Sequence, residues 1–204
     1  MSLLRRRMMY KAGELPSGYT QCKYLKSTGG NYINTKIIAT GASVEFKADL
    51  IPSDRTCVFW TRETEQYITY GFIAVSNTKV RAYMGTTGTS GTITHVSYYS
   101  SPITVSMGKG SFTLNGKTYS IDSYQYAVDF PISLFALTNN GELYNDPSFG
   151  KDIKIYFFKI YKNEILVFNG IPALDQSGRP CMFDTVTQKP FYNEGTGEFL
   201  YELA

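Results

Sequence analysis

The run Val44-Glu45-Phe46-Lys47-Ala48-Asp49-Leu50 alternates without a break. Val44, Phe46, Ala48 and Leu50 fall on one side, and Glu45, Lys47 and Asp49 on the other. A β-strand sorts residues with a period of two because successive side chains point to opposite faces. This strand therefore has one buried face and one wet face. Further strands are predicted downstream at Thr56–Trp60, Tyr67–Val75 and Lys79–Met84. In Phe112-Thr113-Leu114-Asn115-Gly116-Lys117-Thr118-Tyr119 an Asn-Gly pair separates two alternating runs, the strongest short-range sign of a tight hairpin.

Pro131–Leu137 and Asp152–Tyr161 are nearly apolar on both faces, which predicts central positions. Asn163-Glu164 then turns the chain into Ile165–Phe168. Gly85–Gly91 and Asn139–Gly150 read as loops by composition. No helical periodicity of useful length is present, and no internal repeat. Many short strands joined by Gly and Asn turns predict an all-β, two-sheet antiparallel sandwich of the jelly-roll kind.

Composition agrees. Of 204 residues only 18% are charged while 15% are aromatic, a balance suited to half-buried strands and opposed to disorder. A chain of this length can fill one sandwich core unaided. It divides into an N-terminal basic arm, residues 1–17, and a sandwich domain, residues 18–204. The arm holds Arg5, Arg6 and Arg7 and ends at Pro16, before which extended chain is favoured. Those arginines account for part of the net charge of +3. With no comparable basic stripe later, nucleic-acid binding by the main body has little electrostatic support.

Cys22, Cys57 and Cys181 are odd in number and far apart. They make neither a disulfide framework nor a zinc site, and are expected to be buried small apolar residues. No run approaches the ~20 apolar residues of a membrane span. The N-terminus lacks the apolar stretch of a Sec signal, so export is expected to use another route.

Three stretches carry a family resemblance. One runs Leu15-Pro-Ser-Gly-Tyr-Thr-Gln-Cys-Lys-Tyr-Leu-Lys-Ser-Thr-Gly-Gly-Asn-Tyr-Ile-Asn-Thr35. Another is Lys154-Ile-Tyr-Phe-Phe-Lys-Ile-Tyr161. The last is Ile171-Pro-Ala-Leu-Asp175, continuing through Met182-Phe-Asp-Thr-Val186 to Phe191-Tyr-Asn-Glu-Gly-Thr-Gly-Glu-Phe199. Together they resemble the concanavalin A-like lectin/glucanase (laminin G-like) jelly-roll proteins of gut bacteria and their bacteriophages. The chain departs from the family pattern at Phe59-Trp60-Thr61-Arg62 and Ala136-Leu137-Thr138-Asn139, where such proteins often carry Gly-Ala-Arg or Ala-Arg-Asn.

The resemblance implies a lectin-like module on a virion surface, in a tail, fibre or capsid protein, contacting host-surface polysaccharide. Arg5, Arg6 and Arg7 would then anchor it to other virion proteins; a solvated terminus is the plainer account of the same residues. Two alternatives stay open: a structural decoration or interaction protein, including a homo-oligomeric (trimeric) fibre head, and a carbohydrate-binding protein of a bacterial cell surface or extracellular space. Fold alone does not choose among them.

Catalytic relatives cut glycosidic bonds with two carboxylates, roughly 5–5.5 Å apart in retaining enzymes and about 6.5–9.5 Å in inverting ones. Residues two apart on a strand share a face at about 6.6 Å. An acid-x-acid motif on one strand is therefore the pattern required. Glu45 and Asp49 share a face but are four steps apart, with Lys47 between them. Glu63 and Glu65 have the spacing but sit in a polar segment that reads as a turn. The single histidine, His95, excludes multi-histidine metal sites, and no Gly-x-Ser-x-Gly elbow occurs. No catalytic residue is expected.

For sugar binding, aromatic faces pack on pyranose rings while amides and hydroxyls take their oxygens. The candidates are Trp60, Tyr67, Tyr98, Tyr99, Asn139, Asn140 and Tyr144, with Tyr124 and Tyr126 behind them. Trp60 leads as the sole tryptophan, closing an apolar strand. Calcium takes oxygen ligands, and Asn139, Asn145 and Asp146, with Asn140 and Glu142, supply them densely in one loop. Tight turns select the same residue types.

Overall fold

The alternation at residues 44–50 becomes a nine-residue strand near the middle of a large sheet. The computed structural model describes residues 14–50, 56–65, 68–76, 78–86, 93–98, 101–121, 127–144 and 150–204. Arg5, Arg6, Arg7, Tyr67, Tyr99, Tyr124, Tyr126, Asn145 and Asp146 lie outside the described residues. Among the described residues there are eighteen strands and no α-helix. They are β1 (Thr20–Lys26), β2 (Ile33–Ile38), β3 (Ala42–Leu50), β4 (Thr56–Glu63), β5 (Ile68–Ser76) and β6 (Lys79–Thr86). Then come β7 (Ile93–Ser97), β8 (Ile103–Gly108), β9 (Ser111–Leu114), β10 (Lys117–Ser120), β11 (Pro131–Leu134) and β12 (Leu137–Asn139). The last six are β13 (Glu142–Leu143), β14 (Ile153–Lys162), β15 (Ile165–Leu174), β16 (Pro180–Asp184), β17 (Lys189–Phe191) and β18 (Leu200–Leu203).

Two sheets face each other. The larger has ten strands in the order β10-β9-β8-β3-β14-β1-β15-β16-β17, with β18 beside β1. The smaller has eight, β13-β12-β4-β5-β6-β7, with β11 joining β4 to β2. All pairings are antiparallel except β4 with β12. The predicted two-sheet sandwich is what forms, and no helix among the described residues is long and apolar enough to cross a membrane.

Phenylalanines hold the layers together. Phe46 on β3 stacks on Phe158 of β14 at 5.5 Å between ring centres, and meets Phe59 and Phe72 of the smaller sheet edge-on at 6.0 and 5.3 Å. All four rings are fully buried. Opposite them, Glu45 and Asp49 stay on the outer face of β3, each with its own cation: Glu45 with Lys159, Asp49 with Lys154. The three cysteines are buried and free, as expected.

Local signals translate with one correction each way. Asn115 and Gly116 take φ of 48° and 83° between β9 and β10, the left-handed pair a two-residue hairpin requires. Asn163-Glu164 does the same between β14 and β15. Residues 139–150, read as loop, contain a third such hairpin, Asn140-Gly141, closing β12 onto β13. Its strands are three and two residues long, too short for alternation to register. Pro131–Leu137, read as one strand, is two. Phe135 adopts φ 64° with its N–H donated to Val58, so β11 meets β4 antiparallel and β12 meets it parallel.

The stretches that carry the resemblance clasp one another. The Tyr32 N–H donates to the Asn193 side chain at 3.1 Å, and the N–H groups of Glu194 and Thr196 donate to Tyr32 and Gly30. Thr28 reaches the Glu198 carbonyl. These residues bind the first loop of the domain to its last.

Between β15 and β16 the Asp175 carboxylate accepts from the Ser177 hydroxyl and N–H, the Arg179 N–H and the Tyr192 hydroxyl. Those bonds, the Ser177 hydroxyl foremost, hold its pKa well below the usual carboxylate value. A carboxylate depressed in the folded state adds stability that is complete above its unfolded pKa, about 3.9, and fades as pH falls below it. Asp175→Asn is expected to flatten the acid limb of the melting-temperature profile below about pH 4. Thermal melts of both proteins from pH 7 to pH 2 check this; parallel profiles would refute it.

Candidate functional site

On a two-layer sandwich one face of each sheet is spent on the core, and the other must find a use. β4 is buried on both faces along Thr56–Thr61. Phe59 points into the sandwich while Trp60 points away from it, into a separate small cluster with Cys57, Ile73 and Tyr83, flanked by Val75 and Leu137. This cluster covers the outer face of the smaller sheet.

Register places the rest of the face. One row crosses the sheet as Glu142, Asn139, Arg62, Thr69 and Gly85. The next runs Leu137, Trp60, Gly71, Tyr83 and Ile93. A third brings Ile73, Arg81 and His95 into line, with Lys79 two residues before Arg81 on the same strand face. The indole of Trp60 lies over Gly71: a Cβ there would stand 2.8 Å from Trp60 Cε3. It meets Tyr83 edge-on with ring centres 4.6 Å apart. The Arg81 guanidinium donates to the Tyr83 hydroxyl at 3.4 Å.

Polar atoms on this face are buried but unused. Trp60 Nε1, Thr69 Oγ1, Arg81 Nε and Asn139 Oδ1 make no hydrogen bond among the described residues. Buried polar groups in folded proteins are nearly always satisfied, so four on one face require an explanation. Trp60 and Tyr83 themselves are only 6% and 5% exposed. They form a floor and would present edges, not open ring faces, to a ligand.

The sequence candidates divide. Trp60 and Asn139 are brought together here, in adjacent rows. Asn140 is exposed, but its side chain accepts the Thr64 N–H and donates to the Thr64 hydroxyl, tying the β12–β13 turn to the end of β4. Tyr144 is 48% exposed and follows β13 at the rim. Tyr98 is placed elsewhere: 6% exposed, it belongs to the main core, and burial pushes its hydroxyl pKa up.

Arg81, Tyr83 and Thr69 were not singled out from sequence. The available signal was the alternation of Lys79, Arg81 and Tyr83 against Val80, Ala82 and Met84. The two stretches that depart from the family pattern are direct neighbours, with Trp60, Thr61 and Arg62 paired to Leu137, Thr138 and Asn139.

Of the described carboxylates, Glu142 alone stands in the rows of this face. Glu63 ends β4 and accepts the Glu65 N–H at 2.8 Å, which makes the pair a turn. No group of three or more His, Cys, Asp or Glu side chains fit to hold a metal occurs among the described residues. No family model, curated protein or solved structure matches the chain.

Proposed function

We propose that the protein is a non-catalytic, lectin-like binding module that takes a glycan on the outer face of its smaller sheet. The observation that carries this reading is the coincidence there of an aromatic floor, Trp60 and Tyr83, with buried donors and acceptors that have no partner among the described residues. Sugars supply what such a face lacks, apolar C–H faces for the aromatic edges and hydroxyls for the amide, indole N–H and guanidinium. The sequence resemblance supports the same class. It is also the support for placing the module on a bacteriophage particle, with host-surface polysaccharide as the ligand and residues 1–17 as the attachment to other virion proteins.

The sole tryptophan makes the test specific, because any change in indole emission reports this face. Titration with a panel of bacterial capsular polysaccharides and lipopolysaccharides is expected to give a saturable change in Trp60 fluorescence matched by heat in calorimetry. Silence across the panel would sink the reading. It would leave a structural interaction protein, which edge strand β18 favours with its exposed Leu200, Tyr201 and Leu203.

A further inference from the structure

Charge is distributed unequally between the two outer faces. On the larger sheet lysines and acids neutralise one another: Lys154 with Asp49, Lys159 with Glu45, Lys26 with Asp152, Lys23 with Glu202. All six described ion pairs are made by lysines. On the smaller sheet the outer face carries Arg81 and Lys79, which make none of these pairs, and one described carboxylate, Glu142, at the rim.

Arg81 is the telling residue. It is half-buried, its Nε is fully buried without a hydrogen bond, and it has no carboxylate partner among the described residues. A guanidinium taken out of water is costly unless an anion or several acceptors meet it. Its single described bond, 3.4 Å to the Tyr83 hydroxyl, is weak, and it directs the fork towards the aromatic floor. A planar fork with spare donors matches the two oxygens of a carboxylate, and charge-assisted bonds of that kind are roughly twice as strong as neutral ones.

We propose that the ligand of this face is an acidic polysaccharide, one sugar carboxylate of which seats against the Arg81 guanidinium beside the Trp60–Tyr83 floor. The inference rests on the glycan reading above and narrows it. The neutral part of the sugar meets the aromatic edges and Asn139, while the carboxylate supplies the charge that Arg81 lacks. A nucleic acid fits less well, because phosphate tracking needs a continuous basic groove and this face has three cations across three rows.

The test uses the full chain with polygalacturonate, hyaluronan, alginate and colominic acid as acidic probes, and dextran and laminarin as neutral ones, read by Trp60 emission. At least one acidic polymer is expected to bind, and its carboxyl-reduced form, with the same backbone, to bind at least tenfold more weakly. Arg81→Gln is expected to bring the same loss, while Lys47→Gln on the opposite face leaves binding unchanged. Equal binding of the carboxyl-reduced polymer, or preference for the neutral polymers, overturns the acidic ligand and leaves glycan recognition standing. An equal loss in Lys47→Gln, or binding of a DNA oligomer as tight as that of the best polysaccharide, also overturns it by revealing unselective attraction. Silence with all six polymers overturns the glycan reading itself.

Discussion

Gly195→Ala is expected to destabilise the protein by about 3 kcal/mol, the upper end of what forced overpacking costs. For a chain of this size that lowers the melting temperature by roughly 10 °C. The reason is space, not backbone conformation. A Cβ at Gly195 would stand 2.0 Å from the Gly30 carbonyl oxygen, and both flanking residues are already committed. Glu194 donates its N–H to Tyr32 and Thr196 donates to Gly30. The segment cannot retreat without breaking the clasp between the first loop and the last. Gly178 supplies the control, since it needs a left-handed backbone, φ 80°, but an added Cβ there meets nothing within 4 Å. Gly178→Ala is therefore expected to cost about 1 kcal/mol, the conformational term alone. Thermal and denaturant melts of the two variants compare them directly; equal losses would show that the clasp yields and does not hold the domain shut.

That clasp explains what the sequence discloses and what it withholds. The stretches that carry the resemblance, around Ser27–Tyr32 and Tyr192–Gly197, bind to each other through backbone groups and the Asn193 side chain, while Asn31 braces the first loop from within. They specify how the sandwich closes, and neither stretch stands in the rows of the candidate face. Alternation at residues 44–50 was legible because one face of β3 is core and the other is salt-bridged. On β4 the same rule fails. Both faces are buried, and a run such as Cys57-Val58-Phe59-Trp60 does not reveal which side is the interior. Tyr98, just beyond β7, lies in the main core, and an aromatic residue type alone does not distinguish a core ring from a ligand-facing one. Arg62 and Arg81 are nineteen positions apart and come onto one sheet face, in separate rows, only through the pairing of β4, β5 and β6. A search for a contiguous basic stripe passes over them. The face is a product of register, and register follows from long-range pairings that one sequence does not display.

Gly71→Ala is expected to weaken ligand binding at least tenfold while costing only about 1 kcal/mol of stability, the scale of one lost aromatic contact. Gly71 faces Trp60 across the β4–β5 ladder, and the indole lies in the space its missing side chain leaves. A methyl group there would sit 2.8 Å from Trp60 Cε3, with the Phe59 carbonyl oxygen at 3.1 Å closing the other way out. The ring must lift off the sheet. Lifting it separates Trp60 from Tyr83, and Tyr83 is the residue whose hydroxyl receives the Arg81 guanidinium. One methyl thus disturbs floor and cation together, while the ladder hydrogen bonds of β4, β5 and β6 remain. Emission of the single tryptophan should shift to the red as the indole loses its burial, which verifies the cause independently of binding. If the emission shifts and affinity for the best polysaccharide stays the same, the indole is packing alone and the ligand lies elsewhere. If both change together, the outer face of the smaller sheet is the surface that binds, and Gly71 is the residue that shapes it.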